Sequence, residues 1–371
     1  MKSKQFLIII AVLIAFLLVG CESNKKIQIG ATFPLTGNNA LYGTNIKNGM
    51  EIALDDINTA GGIDGKSIEV IYYDDINEPT KAVNNLQELV SVHKVPAVIG
   101  SAGSNCTLAM ASIANNNKTV ILSPTSSQPD ITNAGPFVFR SCPSDVFQVN
   151  IIVDWILQMG YKKVGVLYVT NSWGVSMKEA FEKSFVEKGG VVVASEGVGE
   201  SETNFKSQLI KLSRLKPDAL FMPTYARQGG RAVKQARELK IKLPMFGGDP
   251  WDVGEFITAA GDAANGCMYT VFSQYKGKEY QQFEAMYKTK YRTDPDFLAA
   301  SGYDDLYLIT NAMKYLATKG KEINGDNIRI ALNEMPAYIG ATGDNAFDEN
   351  GDVIKKVFER KIYREQKSTA F

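Results

Sequence analysis

From Ile27 onward the sequence alternates short apolar, strand-like runs with stretches whose apolar residues recur at helical spacing. This alternation constrains the fold more than any other feature. A repeated strand–helix–strand pattern implies parallel sheet with helices packed on both faces. The first strand runs from Ile27 to Phe33 and meets a turn cluster of Pro34, Thr36 and Gly37. Ile46, Met50, Leu54 and Ile57 then mark one helical face, which Gly61-Gly62 stops. Strands are predicted at 67–73, 95–99 and 119–122, separated by a helix carrying Ala82, Leu86 and Leu89 and one starting near Asn105. The rhythm restarts near Asp145. Helices at 146–159, 176–188 and 230–239, and one marked by Phe205, Leu209 and Leu212, interleave with strands at 164–168, 191–195, 219–222 and 245–246.

The C-terminal part reads differently. Two helices, at 280–291 and 297–316, lead to a third at 326–333. Asn350-Gly351 is a hairpin turn signal before a return strand at 353–363. No Pro- or Gly-rich linker separates the two doubly wound units. The reading is an α/β protein of two Rossmann-like units between which the chain crosses more than once.

The first residues are excluded from the fold. Lys2 and Lys4 precede an apolar run, Phe6 to Val19, that is shorter than the ~20 residues a membrane span needs. A basic start with such a run reads as a secretory signal. Its end, Leu18-Val19-Gly20-Cys21, has the form of a bacterial lipobox, with Cys21 as the lipidated first residue and 22–26 as a polar tether. Removing residues 1–20 takes away two lysines and leaves 351 residues, with 38 basic and 40 acidic, at formal charge −2. A balance this mild argues against a nucleic-acid partner. The one histidine, His93, excludes multi-histidine metal sites, and no cofactor is expected. Four cysteines are too few for a disulfide scaffold; with Cys21 assigned to lipid, at most two of Cys106, Cys142 and Cys267 can pair, and the pairing stays open.

Ligands of open parallel sheets bind outside the carboxyl ends of the strands. Two small, hydroxyl-rich loops lie there: Gly100-Ser101-Ala102-Gly103-Ser104-Asn105, opening a helix, and Ser123-Pro124-Thr125-Ser126-Ser127. Free N–H groups at the helix start favour an anion, and two such loops can bracket one carboxylate. Neither ends in the Gly-Lys-Ser/Thr of a phosphate-binding loop. In the second unit, Asp249 follows Gly247-Gly248 past a strand and can accept hydrogen bonds from an ammonium group. Tyr42, Trp173, Tyr225 and Trp251 occupy other strand-end loops, where aromatic rings can face an apolar or cationic ligand.

Taken in order, these segments resemble the branched-chain amino-acid-binding proteins of ABC transporters, in the type I periplasmic-binding-protein family. The matching residues include Pro34-Leu35-Thr36-Gly37, Ala60-Gly61-Gly62-Ile63-Asp64-Gly65, Tyr72-Tyr73-Asp74-Asp75, Ser123-Pro124-Thr125-Ser126-Ser127, Phe139-Arg140, Gly247-Gly248-Asp249, Gly302-Tyr303-Asp304 and Phe347-Asp348-Glu349-Asn350-Gly351-Asp352. The resemblance runs from about Ile27 to Tyr363. It implies two lobes joined by three crossovers, with the ligand cleft between them. The lobes would be 27–142 plus 273–338, and 143–272 plus 339–371, with crossovers near 142–145, 271–274 and 337–343. Ser104, Thr125 and Ser127 match positions that hold a ligand's α-carboxylate and α-amino groups. Tyr225 and Asp249 match positions that hold the amine, where the family often has Glu. Tyr42 and Trp173 match side-chain-pocket walls, with Trp251 and Tyr303 as further walls.

The function implied is an extracytoplasmic, lipid-anchored, monomeric receptor that captures a branched-chain or other apolar amino acid and hands it to an ABC importer permease. The alternatives are the ligand-binding subunit of a sensory system, or a receptor for a related small amide or carboxylate. An enzyme is disfavoured: no nucleophile elbow holds Ser104 or Ser123. His93 sits at a predicted helix end away from the ligand edge, and the pairs Asp74-Asp75 and Asp304-Asp305 read as surface or capping groups.

Overall fold

The computed structural model describes residues 26–272 and 276–371. The leader, Cys21 and most of the tether lie outside the described residues, as does part of the expected second crossover.

Two sheets organise the chain. The first is wholly parallel, with β1 (Ile27–Phe33), β2 (Ile68–Asp74), β3 (Ala97–Gly100), β4 (Val120–Ser123) and β5 (Val138–Arg140) in the order β2-β1-β3-β4-β5. The second has β6 (Lys163–Val169), β7 (Val191–Val198), β8 (Ala219–Phe221), β9 (Met245–Gly247) and β10 (Met268–Phe272) as a parallel core. The antiparallel β13 (Phe358–Arg364) and β14 (Lys367–Ala370) extend it, giving the order β14-β13-β10-β9-β8-β6-β7. The parallel core of each sheet thus repeats one winding. The second strand lies outside the first and the third lies on its other side, which leaves a switch point where loops diverge.

Helices cover both sheets. In the first half they are α1 (Ala40–Thr59), α2 (Pro79–Ser91) and α3 (Ser104–Asn117). In the second they are α4 (Asp145–Gln158), α5 (Ser172–Glu187), α6 (Lys206–Arg214), α7 (Ala226–Glu238) and α8 (Gly254–Ala260). The later helices α9 (Lys278–Tyr291), α10 (Phe297–Thr318) and α11 (Gly325–Glu334) return to the first sheet, where α10 packs along α1 and α11 against β4. A hairpin of β11 (Tyr338–Gly340) and β12 (Gly343–Asn345) precedes the last passage to the second sheet. The chain therefore passes between the sheets three times, which accounts for the absent linker.

The α1–α10 contact is backbone against backbone. A Cβ on Gly49 would stand 1.8 Å from the Ala299 carbonyl oxygen, and one on Gly302 would stand 2.1 Å from that of Ile46. Only glycine permits such an approach.

Several details differ from the sequence reading. Residues 268–272 form the strand β10, where only a crossing was expected at the end. The return strand begins at Phe358 rather than 353, because the preceding residues close a turn around Asp348. That carboxylate accepts the Asn350 and Asp352 amides, and one bridge links Phe347 to Val353. The carboxylate pairs expected as surface or capping groups are largely internal, and Asp74 and Asp304 bind backbone amides as capping groups do. Asp75, Asp304 and Asp305 are fully buried. Asp75 accepts the Thr32 and Ser101 hydroxyls, and Asp304 accepts the Ala341 and Thr342 amides. Cys106, Cys142 and Cys267 are buried free thiols.

Candidate functional site

A cavity enclosing ≈ 460 Å³ of empty space, partly open to solvent, lies between the carboxyl ends of the two sheets. Its walls are strand-end loops, as the winding dictates. Asn39 and Tyr42 follow β1, Asn77 follows β2, Gly103 and Ser104 follow β3, and Thr125 and Ser127 follow β4. From the second sheet, Trp173 follows β6, Tyr225 follows β8, and Asp249 with Pro250 follows β9. Seven of the nine site residues singled out from sequence meet here: Tyr42, Ser104, Thr125, Ser127, Trp173, Tyr225 and Asp249.

Trp251 and Tyr303 do not. Trp251 is fully buried beneath its own loop, stacked on Phe256 with ring centroids 4.5 Å apart. Its indole packs so close to Gly247 that a Cβ there would lie 2.1 Å from the ring. Gly247, two residues before Asp249, thus lets Trp251 fold inward while Asp249 and Pro250 face the cavity. Tyr303 packs on Phe283 and Tyr307, at 4.8 and 4.9 Å. It lies six residues, roughly 9 Å of helix, beyond Phe297, and Phe297 and Leu298 at the start of α10 reach the cavity instead.

The first-sheet side is built to receive an anion. Gly103 is the N-cap of α3 and offers no side-chain cap. The helix start therefore presents unpaired N–H groups and its positive dipole end to the cavity. The hydroxyls around it are held by backbone. Thr125 Oγ1 donates to the Ala102 carbonyl at 2.9 Å, and Ser104 Oγ accepts the Gln128 amide at 3.3 Å. Arg140, fully buried, fixes the second loop from behind. Its guanidinium donates to the Ser127 and Gln128 carbonyls at 3.0 and 2.8 Å and grips Asp352 through two 2.7 Å bonds.

The second-sheet side is anionic. Asp249 is buried and accepts a hydrogen bond from Gln148 Nε2 at 2.9 Å. Burial pushes its carboxyl up to about 7; the Gln148 bond and its own backbone N–H oppose this, and Asp252 adds to it. Behind it lies Asp145, at the first turn of α4. Asp145 is fully buried, and neither carboxylate oxygen has a partner at normal hydrogen-bond distance among the described residues. Burial, then the neighbouring Asp249, raises it to about 8, against the pull of Ser127, Arg140 and Trp173. No lysine or arginine is among the described residues lining the cavity.

Aromatic rings join the two sides. Trp173 stacks on Tyr225 at 5.3 Å, and Tyr42 meets Tyr225 edge-on at 5.9 Å. Tyr42 also accepts the Ala226 amide at 3.2 Å, and Asn77 Nδ2 donates to Glu200 at 3.1 Å. Asn171 holds the Glu200 carboxylate and the Tyr225 hydroxyl, each at 2.8 Å. Of these, the Tyr42–Ala226 and Asn77–Glu200 bonds run between the two halves.

Sequence reasoning missed Asn39, Asn77, Phe297, Leu298 and Asp145. Asn39 and Asn77 carry the strand-end signal that found the others. Phe297, Leu298 and Asp145 come from helix starts, and only the chain crossings bring them to the cleft. His93 lies elsewhere, hydrogen-bonded to the Tyr73 hydroxyl at 3.2 Å near the amino end of the first sheet.

Residues 26–361 match the family model described as periplasmic binding protein. The Leu/Ile/Val-binding protein BraC3 of Rhizobium johnstonii is 26% identical over 358 residues, covering 94% of each chain. The branched-chain amino acid transporter substrate-binding protein LivJ of Streptococcus pneumoniae, solved with isoleucine, superposes with a TM-score of 0.85 at 31% identity, over 93% of this chain and 98% of that one. A solute-binding protein of an ABC transporter from Rhodopseudomonas palustris, solved with 3,4-dihydroxybenzoic acid, gives 0.82 at 26% identity, over 92% and 95%.

Proposed function

Because this chain belongs to the periplasmic-binding-protein family, and is thus a solute-binding protein rather than an enzyme, we propose that it captures an apolar amino acid and delivers it to an ABC importer. The observation that carries this reading is the polarity of the cleft. Hydroxyls and an uncapped helix start stand on one side, and a buried carboxylate without a cationic partner among the described residues stands on the other. A zwitterion satisfies both ends only when the lobes close. The ligand therefore favours the closed form by its differential affinity for that form, and closure is a hinge motion about the crossovers. Tyr42, Trp173, Phe297 and Leu298 leave an apolar compartment for an aliphatic or aromatic side chain. Ser104, Thr125 and Ser127 bind the α-carboxylate, and Asp249 with Tyr225 the amine. Asp249 is one methylene shorter than the glutamate common in the family, so the ligand sits closer to its loop or a water bridges the gap.

In this reading Cys21 carries the lipid anchor and residues 22–26 the tether. The protein works as a monomer on the extracytoplasmic face, with a permease distinguishing loaded from empty forms by lobe orientation. The Rhodopseudomonas relative bound to an aromatic acid supports a second reading, a carboxylate ligand without an amine. Such a ligand leaves Asp249 and Asp145 uncompensated. A calorimetric screen of amino acids, their amides, their keto acids and benzoates separates the two. Amino acids are expected to bind and keto acids not; binding of keto acids or benzoates alone overturns the role of Asp249.

A further inference from the structure

Lys26, the first described residue, emerges at the amino end of β1, in an open groove at the opposite end of the first sheet from the ligand cavity. Lys26, Lys66, Lys94 and Lys321 line this groove, against one aspartate, Asp64. All four lysines are exposed. Lys26 pairs with Glu69 at 3.2 Å, whereas Lys66, Lys94 and Lys321 make no ion pair among the described residues. The face is cationic on a chain that carries 38 basic and 40 acidic residues from Cys21 onward. The lysines come from four separate segments, so the concentration of charge is a product of folding.

From this placement we infer that the amino-end face of the first sheet is a docking surface for an anionic phospholipid bilayer. The inference rests on the reading of Cys21 as the anchor. Lys26 lies five residue steps beyond Cys21, and a fully extended chain of that length spans at most roughly 18 Å. An anchored chain therefore holds this face within about two Debye lengths of the headgroups at physiological salt. Lysines at that distance are attracted to an anionic surface, and a lipid anchor is strengthened by such a second signal. The seven residues of β1 then set the ligand cleft roughly 23 Å further from the bilayer, where its opening is unobstructed.

The test uses the unlipidated chain beginning at Glu22, which retains every described residue, mixed with vesicles of pure phosphatidylcholine or of phosphatidylcholine with phosphatidylglycerol. At low salt it is expected to partition at least about tenfold better onto the anionic vesicles, with the preference lost at high salt. The variant Lys66→Glu/Lys94→Glu/Lys321→Glu is expected to lose that preference. Lys183→Glu/Lys216→Glu/Lys240→Glu, an equal charge change on the second unit, is expected to keep most of it. Equal partition onto both vesicle types, or equal loss in both triple variants, overturns the inference. Intact mass of the protein extracted from membranes tests the anchor separately. An unmodified Cys21 with retained vesicle preference refutes the anchor and not the face, and a lipidated Cys21 without the preference refutes the face and not the anchor.

Discussion

Asp249 and Asp145 are the residues on which the cleft's chemistry turns. Both are carboxylates whose folded pKa lies above the ordinary 3.8, at about 7 and about 8, chiefly through burial. The folded protein holds protons that the unfolded chain has released. The stability these groups contribute is complete below about pH 4 and is lost as pH rises through about 7 to 8. The melting temperature of ligand-free protein is expected to fall between about pH 5 and about pH 8.5, and Asp145→Asn to flatten that slope. An ammonium ligand favours both ionised forms, so its affinity is expected to rise across the same range. Asp249→Asn removes the negative charge that faces the ammonium and is expected to cost about 2–5 kcal/mol of binding while leaving the fold intact, by calorimetry and circular dichroism. Asp249 was legible in the sequence because it follows two glycines past a strand. Asp145 was not, since nothing local shows that a helix-start aspartate will be sealed beneath a cleft with no ion pair among the described residues.

At the scale of elements, the helix pair α1–α10 shows what periodicity can and cannot reveal. Ile46, Met50 and Ile57 mark the buried stripe of α1, and they are fully or almost fully buried. The partner of that stripe lies some 250 residues away, and the contact depends on glycines that no apolar pattern registers. Gly49→Ala places a methyl against the Ala299 carbonyl, where backbone on both sides resists displacement. A loss of about 1–3 kcal/mol is expected in denaturant unfolding, with Kd affected less than stability. A neutral result would mean that the two helices slide freely. The same limit explains Trp251. Its place in a strand-end loop suggests a cavity wall, but a 3₁₀ turn over Asp249–Asp252 rotates each successive side chain by about 120°, so Asp249 and Pro250 line the cavity while Trp251 turns inward.

For the whole molecule, the closed cleft depends on bonds between lobes as well as on ligand. Asn77–Glu200 and Ala226–Tyr42 span the two halves. Their strength sets how much of the empty protein is closed and therefore the apparent affinity. Glu200→Ala is expected to open the ligand-free form, read as a larger radius of gyration in small-angle scattering, and to weaken binding about five- to tenfold. In a double-mutant cycle with Asn77→Ala, a coupling of about 1 kcal/mol or more is expected. Independent effects would place closure elsewhere.

The sequence alone determined the strand–helix alternation, the two windings and the loops that carry Ser104, Thr125, Ser127, Tyr225 and Asp249. Each of these follows from local periodicity and from the rule that parallel strands present ligands at their carboxyl ends. Tertiary structure alone decided that Phe297 and Leu298 reach the cleft and Tyr303 does not. It also decided that Arg140 and Asp352 clamp the Ser127 loop, and that lysines from four segments gather on one face. Those outcomes depend on crossings and on helix phase. Segments distant along the chain become neighbours only through the shared packing of the two sheets, and that packing energy is not written in any one segment.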